Sequence, residues 1–168
     1  MHALVAQARI GTPLGTVTAA VTARGLAGLW FDDQRHHPGA LHAPQDERNP
    51  HLARLRHELA AYWRDGHARF TVALDPQGTP FQRAVWAALQ AIAPGEVRSY
   101  AEIARAVGRP RAARAVGAAI GRNPVGIVIP CHRVLGADGA LTGYAGGLER
   151  KRAMLQLEGA VAALPAAA

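Results

Sequence analysis

The chain has 168 residues, 49% of them apolar, and a formal charge of +7, which is long enough to bury a core in one domain or two small ones. No apolar run approaches the roughly 20 residues that cross a bilayer, and a single cysteine excludes an internal disulfide and any multi-cysteine zinc site. The opening MHALVAQARI lacks the basic-then-apolar layout of a secretory signal, so a cytoplasmic protein that makes no membrane contact is expected.

In chain order, HALVAQARI, TVTAAVT and LAGLWF read as short strands, separated by the turn signals G-T-P-L-G and A-R-G. Residues 32–49 read as a loop; their His36, His37 and His42 lack regular ligand spacing, so no metal site is expected there. Asn49-Pro50 supplies an N-cap and a first-turn proline, and Leu52, Leu55, Leu59 and Tyr62 follow at helical spacing. Residues 70–75, FTVALD, read as one more strand. At Pro76-Gln77-Gly78 the pattern changes, and the boundary is placed there. The expected fold is α/β (α+β): residues 1–76 form a small mixed α/β domain with a short antiparallel sheet. Residues 77–168 form a mainly helical, winged-helix-like domain containing a helix-turn-helix.

The second part opens on a capping box, Thr79-Pro80-Phe81-Gln82, that starts a helix with Phe81, Val85, Leu89 and Ile92 inward. A second box, Ser99-Tyr100-Ala101-Glu102, starts a short helix through Ile103 and Val107 that stops at Gly108. A third helix is predicted from near Pro110 to Gly121, which makes the pair a helix-turn-helix candidate. Spacing puts Ala113, Val116, Gly117 and Ile120 on the core side and Arg111, Arg114, Ala118 and Arg122 on another. That second face is cationic and otherwise nearly bare. It suits a nucleic-acid groove, since arginines reach phosphates or enter between bases; a solvated basic face on an alanine-rich helix is the competing reading. The charge is lopsided in the same direction. Residues 76–168 hold eleven Arg/Lys against five acids, and residues 1–75 hold eight Arg against seven.

The cysteine lies in GIVIPCHRV, residues 126–134. VGIVI reads as a buried strand ending at Pro130, so Cys131 sits where a rigid element gives way to a turn. A lone cysteine is commonly a small buried hydrophobe; a reactive one needs positive, partly exposed surroundings, to which His132 and Arg133 are expected to contribute. Chain neighbours point apart, so a water is the expected path for a proton between Cys131 and His132. A last helix is predicted from about Leu148 to Glu158-Gly159. A carboxylate in its final turn opposes the helix dipole, which fits either a use such as orienting an imidazole or simple exposure to water. Between them, GYAGGLERK carries Gly143, Gly146 and Gly147, which allow a backbone to pass close to a ligand or make a plain surface turn.

Taken together, GTPFQRAVWAAL, PGEVRSYAEIA, AARAVGAAIGRNP, IPCHRV and GYAGGLERK through LEG closely resemble the O6-alkylguanine-DNA alkyltransferases, the methylated-DNA-protein cysteine methyltransferases. The resemblance is dense from about Gly78 to Gly159 and weak before it. It implies a monomer without cofactor that acts on double-stranded DNA carrying O6-alkylguanine, with O4-alkylthymine an open second substrate; some relatives bind a structural zinc through N-terminal cysteines, and with Cys131 the sole cysteine no such metal site is expected here. The base would be flipped from the duplex and its alkyl group transferred irreversibly to Cys131. The resemblance further implies that His132 takes the thiol proton through a water, that Glu158 orients the ring, that Asn123 braces the segment behind Cys131, and that Tyr100 donates to the leaving guanine. Val134, Tyr144, Ala145 and Gly146 would read the flipped base. Arg114 would fill the gap in the stack, with Arg111, Ala113, Ala115, Gly117 and Arg122 beside it on the DNA. Two alternatives stand against this: a lesion-binding relative that does not react, which would lack the acceptor cysteine, and a cysteine hydrolase, whose base would come from elsewhere in the chain.

Overall fold

A computed structural model describes residues 1–160. The chain divides into two compact units: Met1–Gln77 with Pro124–Gly126, and Gly78–Asn123 with the chain from Ile127 onward. The second part is therefore not continuous from residue 77 as expected, because three residues ahead of the cysteine belong to the first unit. The last eight residues of that expected domain lie outside the described residues.

In the first unit, strands β1 (Leu4–Thr12), β2 (Gly15–Thr22) and β3 (Leu26–Phe31) form an antiparallel sheet in the order β1-β2-β3. Their burial follows that order. β1 alternates, with Ala6, Ala8 and Ile10 inward, as an edge strand with one wet face does, whereas β3 is buried along its whole length. Helix α1 (Pro50–Arg64) is capped by Asn49, whose side chain accepts from the His51 amide, and buries Leu52, Leu55, Leu59 and Tyr62.

Residues 70–75 are not the expected strand. Only Leu74 bridges to β3, at Leu26, because the buried carboxylate of Glu58 accepts from the amides of Thr71 and Val72 and from the Thr71 hydroxyl. Those amides are satisfied by a helix side chain, which leaves no ladder to build. VGIVI is not a strand either. Val125 makes a single bridge to Leu29, after which the backbone turns, with Ile127 at φ 69°. Its alternating burial looks like a strand, but a left-handed residue ends the extended path.

The second unit holds α2 (Pro80–Gln90), β4 (Arg98–Ser99), α3 (Tyr100–Ala106), α4 (Ala113–Gly121), a 3-10 turn (Cys131–Arg133), β5 (Val134–Leu135) and α5 (Leu148–Leu157). Both capping boxes form: Thr79 with Gln82, and Ser99 with Glu102. α2 buries Val85, Leu89 and also Trp86, whose indole N–H donates to the Ala119 carbonyl at 2.8 Å, fixing α2 on α4. Gly108, at φ 72°, reverses the chain after α3. α4 starts at Ala113 rather than near Pro110 and has no side-chain cap. The two-residue strands β4 and β5 pair in parallel, Arg98 with Val134 and Ser99 with Leu135. That pairing holds the start of α3 beside the chain that leaves the cysteine.

Among the described residues, no helix is long and apolar enough to cross a membrane, and no group of three or more His, Cys, Asp or Glu is placed to hold a metal ion.

Candidate active site

Cys131 opens the 3-10 turn behind Pro130, its amide donating to the Ile129 carbonyl at 2.8 Å. The Asn123 side chain donates to the same carbonyl at 2.8 Å, so this residue from the end of α4 ties down the segment behind the thiol. Cys131 is only 7% exposed, more enclosed than the partly open setting expected. Burial pushes its thiol up, while a side-chain bond from Asn123 and the charge of Lys151 pull it back.

Beyond the thiol the turn is ionic and sealed. His132 Nε2 lies 2.7 Å from Glu158 Oε2, and Arg133 donates to both oxygens of the same carboxylate at 2.7 and 3.1 Å. The remaining arm of Arg133 donates to the Ile92 carbonyl. Arg133 thus serves Glu158, and the cation acting on the sulfur is Lys151. Glu158, the C-cap of α5, is fully buried, which decides between orienting an imidazole and exposure to water. Burial alone would raise its carboxyl, but the bonds from His132 and Arg133 outweigh burial and bring it to about 2. An ionised carboxylate only accepts, so His132 Nε2 carries the hydrogen and Nδ1 presents a lone pair. Nδ1 is buried and makes no hydrogen bond among the described residues. Burial lowers the His132 pKa against the pull of Glu158, which keeps the imidazole neutral and able to accept a proton.

The other expected residues gather around this turn. Tyr100 is the first residue of α3. Its ring stands 3.8 Å from where a β-carbon on Gly117 would lie, and its hydroxyl 4.0 Å from the corresponding point on Gly143. It therefore reaches from α4 to the 141–147 loop. Tyr144 and Ala145 are half-buried and Gly146 is buried. Burial, then the nearby Cys131 sulfur, hold the Tyr144 phenol well above its ordinary range. Val134 is buried in β5. On α4, Arg114, Ala115 and Ala118 are exposed, Gly117 is half-buried, and Val116 and Ile120 are buried; Arg111 lies in the turn before the helix rather than on its face as expected, and Arg122 is the C-cap, both exposed. Ala113 is exposed, not turned to the core as its spacing implied; it is the first residue of the helix, and Val116 is the first to be buried. Ala119 takes an inward place instead.

Lys151 is the residue the sequence reading missed. It is the only lysine in the chain and is fully buried, its ammonium donating to the carbonyls of Val134, Thr142 and Gly143. Two signals mark it. An otherwise all-arginine chain makes one exception here, and Lys151, Met154 and Leu155 share the i, i+3, i+4 spacing of a buried helix face.

Comparison with known proteins bears on the same residues. Residues 80–160 match the family model for the 6-O-methylguanine DNA methyltransferase, DNA binding domain. The chain is 46% identical over 149 residues to the methylated-DNA--protein-cysteine methyltransferase of Mycolicibacterium paratuberculosis, covering 89% of each chain. It is 44% identical over 151 residues to that of Methanosarcina barkeri, covering 89% of this chain and 94% of the relative. Among solved structures, Mycobacterium tuberculosis OGT in complex with DNA superposes with a TM-score of 0.84 at 44% identity, covering 96% of both chains. On that identity and coverage, the chain belongs to the methylated-DNA--protein-cysteine methyltransferase family.

Proposed function

We propose that this protein repairs DNA by moving the alkyl group of O6-alkylguanine onto Cys131, each molecule acting once. The observation that carries the assignment of roles is the buried Glu158–His132 pair next to the sole cysteine, with Nδ1 left as the acceptor. His132 Nδ1 takes the thiol proton through a water. The thiolate then attacks the alkyl carbon in line: an S–C bond forms, the C–O6 bond breaks, and its electron pair stays with guanine. Tyr100 donates to the departing base, and the proton lost by the thiol ends on guanine. Asn123 keeps the sulfur in place, and the loop of Tyr144, Ala145 and Gly146 with Val134 forms the base pocket. A thioether has no easy exit, so the acceptor is consumed.

A stacked guanine cannot meet a sulfur this enclosed and must leave the helix, at a cost of a few kcal/mol. The bare cationic face of α4 and the residues flanking the helix supply the offset: Arg111 before it and Arg122 at its end to phosphates, Arg114 into the vacated stack, with Ala113, Ala115 and Gly117 small enough to admit the groove. The helix-turn-helix of α3 and α4 is the element that does so. An acceptor that must stay a free thiol suits a reducing compartment, and the cytoplasm is where we place its work.

The test is to incubate stoichiometric protein with O6-methylguanine duplex and weigh the intact chain. One methyl group on Cys131 and no second turnover is expected. Tight lesion binding by an unmodified chain would make it a recognition protein, and repeated turnover a hydrolase; either outcome overturns the proposal.

A further inference from the structure

Residues 41–46 are not a free loop: one residue of β1 gathers them onto the sheet. The Gln7 amide donates to the Pro44 carbonyl at 2.9 Å, and the Gln7 carbonyl accepts from the Asp46 amide at 3.0 Å. The Gln7 side-chain nitrogen donates to the carbonyls of Ala43, at 2.6 Å, and Leu41, at 3.2 Å. With Gln45 bridged to Gln7 in parallel, the segment forms a strap along the edge of β1 that β2 leaves open, where unpaired backbone groups would otherwise invite another strand. Upstream the chain rests on β3, where the His37 and Trp30 rings stand 6.0 Å apart between centroids, tilted by 58°. Between these anchorages it turns at Gly39, φ 79°, whose amide donates to His37 Nδ1 at 3.0 Å.

That last bond sets the charge state of the imidazole. A ring nitrogen that accepts carries no hydrogen, so His37 is neutral with its hydrogen on Nε2, and Nε2 is buried and makes no hydrogen bond among the described residues. A second proton would have to sit on Nδ1, turning it into a donor that faces the Gly39 N–H. We propose that His37 is a pH-sensitive catch for this strap: neutral, it holds the turn at Gly39 and keeps residues 41–46 on β1; protonated, it releases the turn and the strap opens, whatever chemistry Cys131 performs. The charged groups facing the ring are the Asp32 carboxylate, just after β3, and Arg9 of β1, which is bonded to it; Arg35 and His36 flank His37 on its own loop. Partial burial would raise the Asp32 carboxyl, but bonds from Arg9 and from the Thr18 hydroxyl outweigh it and hold it low, and the His37 charge acts in the same direction. Asp32 is therefore an anion wherever His37 titrates, and it draws the protonated ring away from Gly39. The closed strap binds one proton fewer than the open one, so closure weakens as pH falls.

The test is hydrogen exchange at the amides of Gln7 and Asp46, which the strap bonds protect, from about pH 8 to about pH 5.5, the span over which imidazoles titrate. After correction for the intrinsic rate, wild type should lose protection about tenfold at the acid end. His37→Asn supplies a side-chain oxygen that accepts from the amide two residues on and cannot take a proton in this range, so its protection should stay within twofold. Wild-type protection that holds in acid would overturn the proposal, as would an equal loss in both proteins, which would place the proton elsewhere.

A second measurement needs no variant at position 37. In wild type the amide signals of Gly39 and Asp46 and the indole signal of Trp30, identified by its loss in Trp30→Phe, should titrate with one common midpoint. A Gly39 signal that titrates while Asp46 stays fixed would mean that the ring takes its proton with the strap still shut, and would refute the catch even if His37→Asn failed to fold.

Discussion

Replacing Glu158 by glutamine keeps the shape of the side chain and removes its charge. In the native protein this carboxyl lies at about 2 against an ordinary 4.5, and each pKa unit is worth about 1.4 kcal/mol, so its ionised form contributes about 3 kcal/mol of stability at neutral pH. The variant also leaves Arg133 buried with an incomplete partner, for which breaking a buried pair costs about 3–5 kcal/mol, in the same range. For a chain of this size that corresponds to a melting temperature lower by roughly 6–12 °C. The sign with pH follows from a depressed carboxylate. Its contribution is fully present above about pH 4.5 and is lost as pH falls from there through about 2. Thermal melts of wild type and Glu158→Gln from pH 7 to pH 2.5 should therefore differ most at neutral pH and converge in acid. Transfer should slow about 100-fold, since a neutral amide no longer stabilises the imidazolium that forms as His132 takes the proton, and its NH2 competes with its oxygen for the place facing Nε2. A melting temperature within about 2 °C of wild type at pH 7, or curves that stay parallel in acid, would refute the assignment of Glu158 as the anchor of the turn.

Two further substitutions separate the chemistry from the DNA face. Cys131→Ala should abolish transfer, read by intact mass, while duplex affinity read by fluorescence anisotropy stays within twofold; loss of both together would mean that the two sites are one. Arg114→Ala should reduce repair in duplex far more than reaction with free O6-benzylguanine, and equal losses on both substrates would remove its role in the stack.

What was legible in the sequence were features whose causes lie a few residues apart. Thr79 and Gln82 cap each other, Ser99 and Glu102 do the same, and Asn49 caps α1, so three helix starts could be placed from neighbours alone. The cysteine turn was legible because its motif is dense. The failures have distant causes. Residues 70–75 have strand composition, but their amides are claimed by Glu58, which is 13 residues earlier for Thr71. VGIVI alternates like a strand, but the extended path ends at Ile127. In the run Arg150-Lys151-Arg152 three cations look alike, and only the helix phase singles out the middle one as the buried member. The start of α4 was misplaced because Ala112 offers no capping side chain to mark it.

The return of Pro124–Gly126 to the first unit restricts how this protein can be cut. Leu29 in β3 donates its amide to the Pro124 carbonyl and accepts from the Gly126 amide, so severing the chain between Gln77 and Gly78 yields no self-sufficient halves. The front fragment would strand both polar groups of Leu29, at about 1–3 kcal/mol apiece. The rear fragment would lose the anchorage of the stretch that delivers Cys131 five residues after Gly126. Truncation and domain-swapping schemes must therefore carry both lengths of chain together.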